Sequence, residues 1–223
     1  MIISFSGLDG CGKSTLIKLI SDKILRSEGL NDIEVIWTRI GYTPFMIFIK
    51  NLARGMFANK LPKAGRSKQR TNAFKKPIVQ QVWITLALLE LIWIFTFKLR
   101  FRSIGKTVLL DRQIDDSIID LQVLFGNNII KSRKYSFLIM ILKTLSVRIH
   151  KVGINIDIET SYYRCSIKHE PFPDLPEEKT IRYALYQEAF SKNVFDIVLD
   201  GSQPSQLSAR KILSSLSDND KKK

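Results

Sequence analysis

Gly7-Leu8-Asp9-Gly10-Cys11-Gly12-Lys13-Ser14 places three glycines, a lysine and a hydroxyl at fixed positions, and Thr15 adds a second hydroxyl. The spacing is G-x-x-x-x-G-K-[ST], a pattern that cradles a polyphosphate when a strand precedes it and a helix follows. Glycines let backbone amides converge on phosphate oxygens through dihedrals closed to other residues. A helix beginning directly afterwards adds its dipole to the hold on an anion. Lys13 supplies a point charge for the outer phosphates and Ser14 a hydroxyl ligand for Mg²⁺, so Gly7 to Thr15 is the expected ATP site.

Asp111 ends the apolar run KTVLLD. A carboxylate at the carboxyl end of a buried strand can hold a Mg²⁺-bound water beside Ser14, though an isolated Asp there also serves as a helix cap or turn residue. Cys11 and Cys165, with His150 and His169, are scattered and lack zinc-ligand spacing. Two cysteines form no disulfide framework and suit a reducing cytoplasm. Cys11 is expected to lend the loop only its backbone, and a thiol at a helix start is open to oxidation.

These residues need a scaffold, and the hydrophobic pattern supplies one. MIISFSG reads as a buried parallel strand, GKSTLIKLISDKILRSEG as a helix stopped by Gly29, and IEVIWTR as a second strand. PFMIFIKNLARGMF has helical periodicity; Lys60 to Lys76 has none and reads as a loop. A long apolar helix starts at Pro77. Gln80, Gln81, Thr85 and Glu90 interrupt it, which favours a core helix with a face in a dimer over a membrane span. KTVLLDR, VGINIDIE and FDIVLDGS read as strands, YSFLIMILKTL, EEKTIRYALYQEAFSKN and LSARKILSSL as helices, and SDNDKKK as a frayed tail. Five strands alternating with helices predict an α/β fold of three layers, α/β/α, around a mainly parallel sheet.

At 223 residues and 45% hydrophobic, the chain can bury one sizeable core. Met1 runs straight into IISF without the basic start of a secretory signal, so a cytoplasmic location is expected. The charge is +14, and no acidic residue lies between Glu34 and Glu90, a gap holding Arg39, Lys50, Arg54, Lys60 and further cations up to Lys76. A solvated face is the plainer reading of that gap. A surface docking on membrane lipid or another anionic partner is the other. Nucleic acid is not favoured, because no aromatic-interleaved stacking motif accompanies the charge.

Taken in order, these segments resemble the thymidylate kinase family. GLDGCGKST resembles its phosphate loop, TRIGYTP its T-R-E-P-G-G-T-P, VLLDRQIDDS its D-R-[YH] segment, RCSIKHEPFPDLPEE its lid and VLDGSQPSQL its closing I-D-[AG]-S-Q-S-P-E-E. The resemblance implies a single P-loop kinase domain over 1–216, with a small lid at about 165–179, a basic insertion at about 58–77 and a disordered tail from 217. It also implies phosphoryl transfer from ATP to a nucleoside monophosphate, dTMP first, in a homodimer joined through helix 78–100. By the same resemblance, Arg39 and Arg112 clamp the acceptor phosphate, and Asp9 meets an acceptor sugar hydroxyl. Asp116 stands where the family's acceptor-side Ser is expected, with Ser117 one place late, and Ser202 and Gln203 border the adenine.

Besides Asp116, the chain departs from the family in two places. Gly10-Cys11 stands where some members carry a catalytic Arg, so the implied charge comes from the lid, with Arg164 and Lys168 as candidates. ITLALLELIW replaces the family's base-contacting L-L-F-A-A-D-R and has no Arg before Arg100. Two other functions fit the same residues: a kinase of another phosphorylated acceptor, a sugar phosphate or a lipid-linked one, at a membrane surface; and a nucleotide-dependent switch without transfer chemistry.

Overall fold

Five parallel strands form one sheet in the order β2-β3-β1-β4-β5: β1 Ile2–Gly7, β2 Ile33–Trp37, β3 Thr107–Asp111, β4 His150–Asn155 and β5 Ile197–Asp200. They belong to a computed structural model of the chain, which describes residues 1–28, 33–38, 40, 47–48, 51, 76–168 and 174–220. The helices are α1 Lys13–Glu28, α2 Pro77–Arg102, α3 Ile114–Phe125, α4 Asn127–Ile130, α5 Arg133–Leu145, α6 Ile158–Ile167, α7 Pro176–Ser191 and α8 Ser205–Asp220. The winding direction reverses at β1, which pairs with β3 on one side and β4 on the other. In an open α/β sheet the carboxyl ends at such a reversal form the binding crevice.

Strand alternation decides what covers each face. Ile3 and Phe5 of β1 join Val152 and Ile154 of β4 in a buried cluster with Leu16, Ile17 and Ile20 of α1 and Ile212 of α8. Ser4 and Ser6 face the opposite way and are also fully buried. On that side Gly153 admits the Phe190 and Phe195 rings, since a Cβ there would lie 2.8 Å from Phe190 Cε1.

The span 1–216, read from the sequence as one domain, holds two compact units. One comprises Met1–Trp37, Phe101–Ile119 and Arg148–Lys223 and contains the sheet. The other comprises Thr38–Arg100 and Asp120–Val147 and contains most of α2 and all of α5. In the second unit Pro77 begins α2 at a first-turn position that needs no N–H. Ile84, Ala87, Leu88 and Leu91 form its buried face. By length and composition α2 could cross a membrane, yet half of its apolar window is buried.

Several boundaries differ from the sequence reading. β4 stops at Asn155, short of the expected run to Glu159. Asp157 instead caps α6, accepting from the Thr160 backbone N–H at 2.6 Å. α8 continues to Asp220, into the expected tail. The candidate helix PFMIFIKNLARGMF lies largely outside the described residues, as does the basic insertion from 58 to 75.

Candidate nucleotide site

The loop between β1 and α1 has the geometry its glycines predict. Gly7 and Gly12 adopt φ of +147° and +101°. A Cβ on Gly7 would lie 2.4 Å from the Ile154 carbonyl oxygen, so space as well as dihedral requires glycine there. Leu16 N donates to Gly12 O at 3.0 Å, carrying the loop into the first turn of α1. Lys13 is buried, and its Nζ donates to the carbonyls of Gly7 and Leu8, both at 2.9 Å, with Asp9 Oδ1 at 3.9 Å. Ser14 and Thr15 are exposed at the start of α1.

Cys11 is 2% exposed, and burial pushes its thiol up from the ordinary range, against the lowering charge of Lys13. The expected oxidation-sensitive thiol is therefore a buried, protonated one, and reactivity needs thiolate and access.

Ser14 and Asp111 line one pocket, which also contains Lys18 and Asp22. Asp111 Oδ1 is buried and has no hydrogen-bond partner among the described residues. An unmet buried acceptor costs about 1–3 kcal/mol. A hydroxyl and an open carboxylate oxygen in one pocket suit a hydrated Mg²⁺, which takes few protein ligands and keeps several waters.

Arg112 follows at once and is 4% exposed. Its N–H donates to Phe5 O at 3.0 Å, extending the β1–β3 ladder by one residue. Its φ is +78°, a conformation that a non-glycine residue holds at a cost of about 1–3 kcal/mol. The turn aims the guanidinium back at the phosphate loop, where Nη2 donates to Asp9 Oδ1 at 2.5 Å. Asp9 thus sits between two cations, Lys13 and Arg112.

Asp116 stands in the first turn of α3. It is fully buried and accepts from Ser6 Oγ at 2.5 Å, from Gln113 N at 2.8 Å and from the Tyr186 hydroxyl. Burial pushes its carboxyl up, opposed by the Arg112 charge and these donors. It anchors the first turn of α3 to β1 and α7. Ser117 is 1% exposed, and its Oγ has no partner among the described residues.

Arg164 and Lys168, expected in the lid, fall on a helix packed against the loop, and residues 169–173 of the expected lid lie outside the described residues. Ser161 Oγ donates to Asp9 O at 2.7 Å, and Arg164 Nη1 donates to Gly201 O at 2.9 Å and Gly10 O at 3.3 Å. Arg164 therefore ties the phosphate loop to the turn after β5, instead of standing in a loop over the site. Lys168 is the exposed C-cap of α6, one turn further on. Ser202 donates through N and Oγ to Asp200 Oδ1, at 2.9 and 2.6 Å, and Gln203 Oε1 accepts from Lys211 at 3.2 Å. Arg39 lies outside the described residues.

Three residues went unnoticed in the sequence. Lys179, Arg182 and Tyr186 of α7 are all buried. Lys179 Nζ lies 4.0 Å from the Tyr162 ring centroid and 3.6 Å from Cys165 Sγ. Arg182 Nε donates to Asp174 at 2.8 Å. Their i, i+3, i+7 spacing puts two cations and a phenol on one helix face. That was the signal in EEKTIRYALYQ: charges where core residues belong.

No protein-family model matches this chain, and no curated protein does. Among solved structures it is similar to deoxyadenosine kinase from M. mycoides with bound dATP, at 18% identity and a TM-score of 0.55, over 97% of this chain and 100% of that one. A second structure of that enzyme, with products dCMP and a flexible dCDP bound, matches at 17% identity and a TM-score of 0.56, over 98% of this chain and 100% of that one. The likeness is one of fold: a five-stranded parallel sheet flanked by helices. The narrower resemblance to thymidylate kinases stays with the sequence motifs.

Proposed function

We propose that this chain is an ATP-dependent kinase that phosphorylates a nucleoside monophosphate, with dTMP the first acceptor to test. One observation carries the reading. Arg112 is buried, held at positive φ and fixed to the phosphate loop through Asp9, one residue after the carboxylate that shares a pocket with Ser14. A second cation so placed suits a site that must hold an acceptor phosphate beside the donor's.

In this reading Lys13 exchanges the loop carbonyls for the outer phosphates of ATP. Ser14 and Asp111 would hold Mg²⁺, which would supply positive charge for the phosphoryl group. Arg112 turns its fork from Asp9 to the acceptor phosphate, a planar bidentate match that stays charged. Two anionic substrates repel, so in-line attack requires cations between them. Arg39 is the second acceptor clamp implied by resemblance. Arg164 acts as a positioning residue by fixing Gly10 to Gly201. The setting is a reducing cytoplasm.

A coupled ADP-release assay tests this over dTMP, dUMP, the other monophosphates, deoxynucleosides and sugar phosphates. Stimulation by a nucleoside monophosphate is the expected result. Stimulation by a sugar phosphate alone would move the acceptor class, and none across the panel would leave a nucleotide-binding switch.

A further inference from the structure

The unit formed by Thr38–Arg100 and Asp120–Val147 contains sixteen Lys and Arg against two carboxylates, Glu90 and Asp120. That balance of +14 equals the net charge of the whole chain, so the sheet-bearing unit is neutral in sum. Both carboxylates are buried, at 3% and 7% exposure. The unit therefore shows no acidic side chain to solvent, while Lys131, Arg133 and Lys134 are exposed.

The same unit carries an exposed apolar face. Ile78, Val82, Leu89, Trp93 and Phe97 are between 47% and 76% exposed along α2. Four-residue steps drift off one helix face by about 40° each in an ideal α-helix. The wider π-helical turn at Ile94–Lys98 offsets that drift, and the Trp93 and Phe97 ring centroids lie 5.3 Å apart. The opposite face of α2 is buried, and among the described residues this outer face is exposed. Its geometry suits a helix lying along an interface, and not one crossing it.

We infer that this unit docks on an anionic lipid surface, with Trp93 and Phe97 entering the headgroup region and the cations meeting the lipid charge. Charge complementarity selects this occupant. A second copy would bring the same excess of positive charge, and a two-fold interface pairs a patch with itself, so two such units repel with no exposed carboxylate to offset them. Each Lys or Arg near an anionic bilayer contributes about 1 kcal/mol, in addition to the apolar insertion.

The full chain is tested by co-sedimentation with phosphatidylcholine vesicles, with and without 30% (about one lipid in three) phosphatidylglycerol. Binding to the anionic vesicles at low salt, released by high salt, is expected. Trp93→Ser with Phe97→Ser abolishes it, and Lys131→Gln with Arg133→Gln and Lys134→Gln weakens it by about a hundredfold. Retained ATP binding shows that each variant is folded. Three results would overturn the inference: no vesicle binding at low salt; binding to single-stranded RNA in its place; or a solution dimer that the Trp93→Ser, Phe97→Ser pair dissociates without any vesicle binding.

Discussion

Arg112 donates to Asp9 at 2.5 Å across 103 positions of sequence. This contact joins the turn after β3 to the phosphate loop, and it places an always-charged fork beside the donor site before any substrate arrives. Asp9 holds that fork and lies near Lys13, so a phosphate entering the site competes with one carboxylate for two cations.

Removing the fork should therefore damage transfer more than ATP binding. Arg112→Ala is expected to lower kcat/KM for the acceptor by about a thousandfold, with ATP affinity changed only a few-fold. Steady-state kinetics beside calorimetric ATP titration separates the two.

Tyr186 is expected to matter through Asp116. Tyr186→Phe leaves a buried carboxylate oxygen short of its donor and should cost about 1–3 kcal/mol by urea denaturation. The pH dependence has a definite sign. Asp116 is held above its ordinary value by burial, so its favourable contribution is complete at low pH and lost as pH rises through the raised value. Losing a donor raises it further. The deficit of Tyr186→Phe should be larger at pH 8 than at pH 5.

His150 titrates in the opposite sense. Burial lowers its value, only partly offset by Asp196 at 3.7 Å. The folded state then takes up a proton less readily than the unfolded chain, so stability is present above the ordinary histidine value and lost as pH falls through the lowered one. The urea midpoint should fall between pH 7 and pH 5, and His150→Gln should flatten that slope.

The two thiols should differ in reactivity. Cys11 is buried and held protonated, while Cys165 is partly exposed. Disulfide-exchange titration of the native protein should show Cys165 reacting first and Cys11 reacting only after denaturation.

The phosphate loop, the five strands and α2 were legible because glycine spacing and hydrophobic runs are local signals. α6 was not, since Ile154, Ile156 and Ile158 continue a strand-like alternation through the true boundary. Asp157 capping on Thr160 was the local sign that the strand had ended. Asp116 was legible as a charge near Arg112 but not as a buried one; only tertiary structure brings Ser6 and Tyr186 to its oxygens. The confinement of the whole net charge to one unit was hidden for a similar reason, because that unit is assembled from two separate stretches of chain.

The most direct measurement follows the terminal phosphoryl group of labelled ATP in the presence of dTMP and the other nucleoside monophosphates. Label appearing on one of these acceptors with the native chain, and absent with Lys13→Ala, is the predicted result. Label found only in inorganic phosphate, or transfer unaffected by loss of Lys13, would contradict the account.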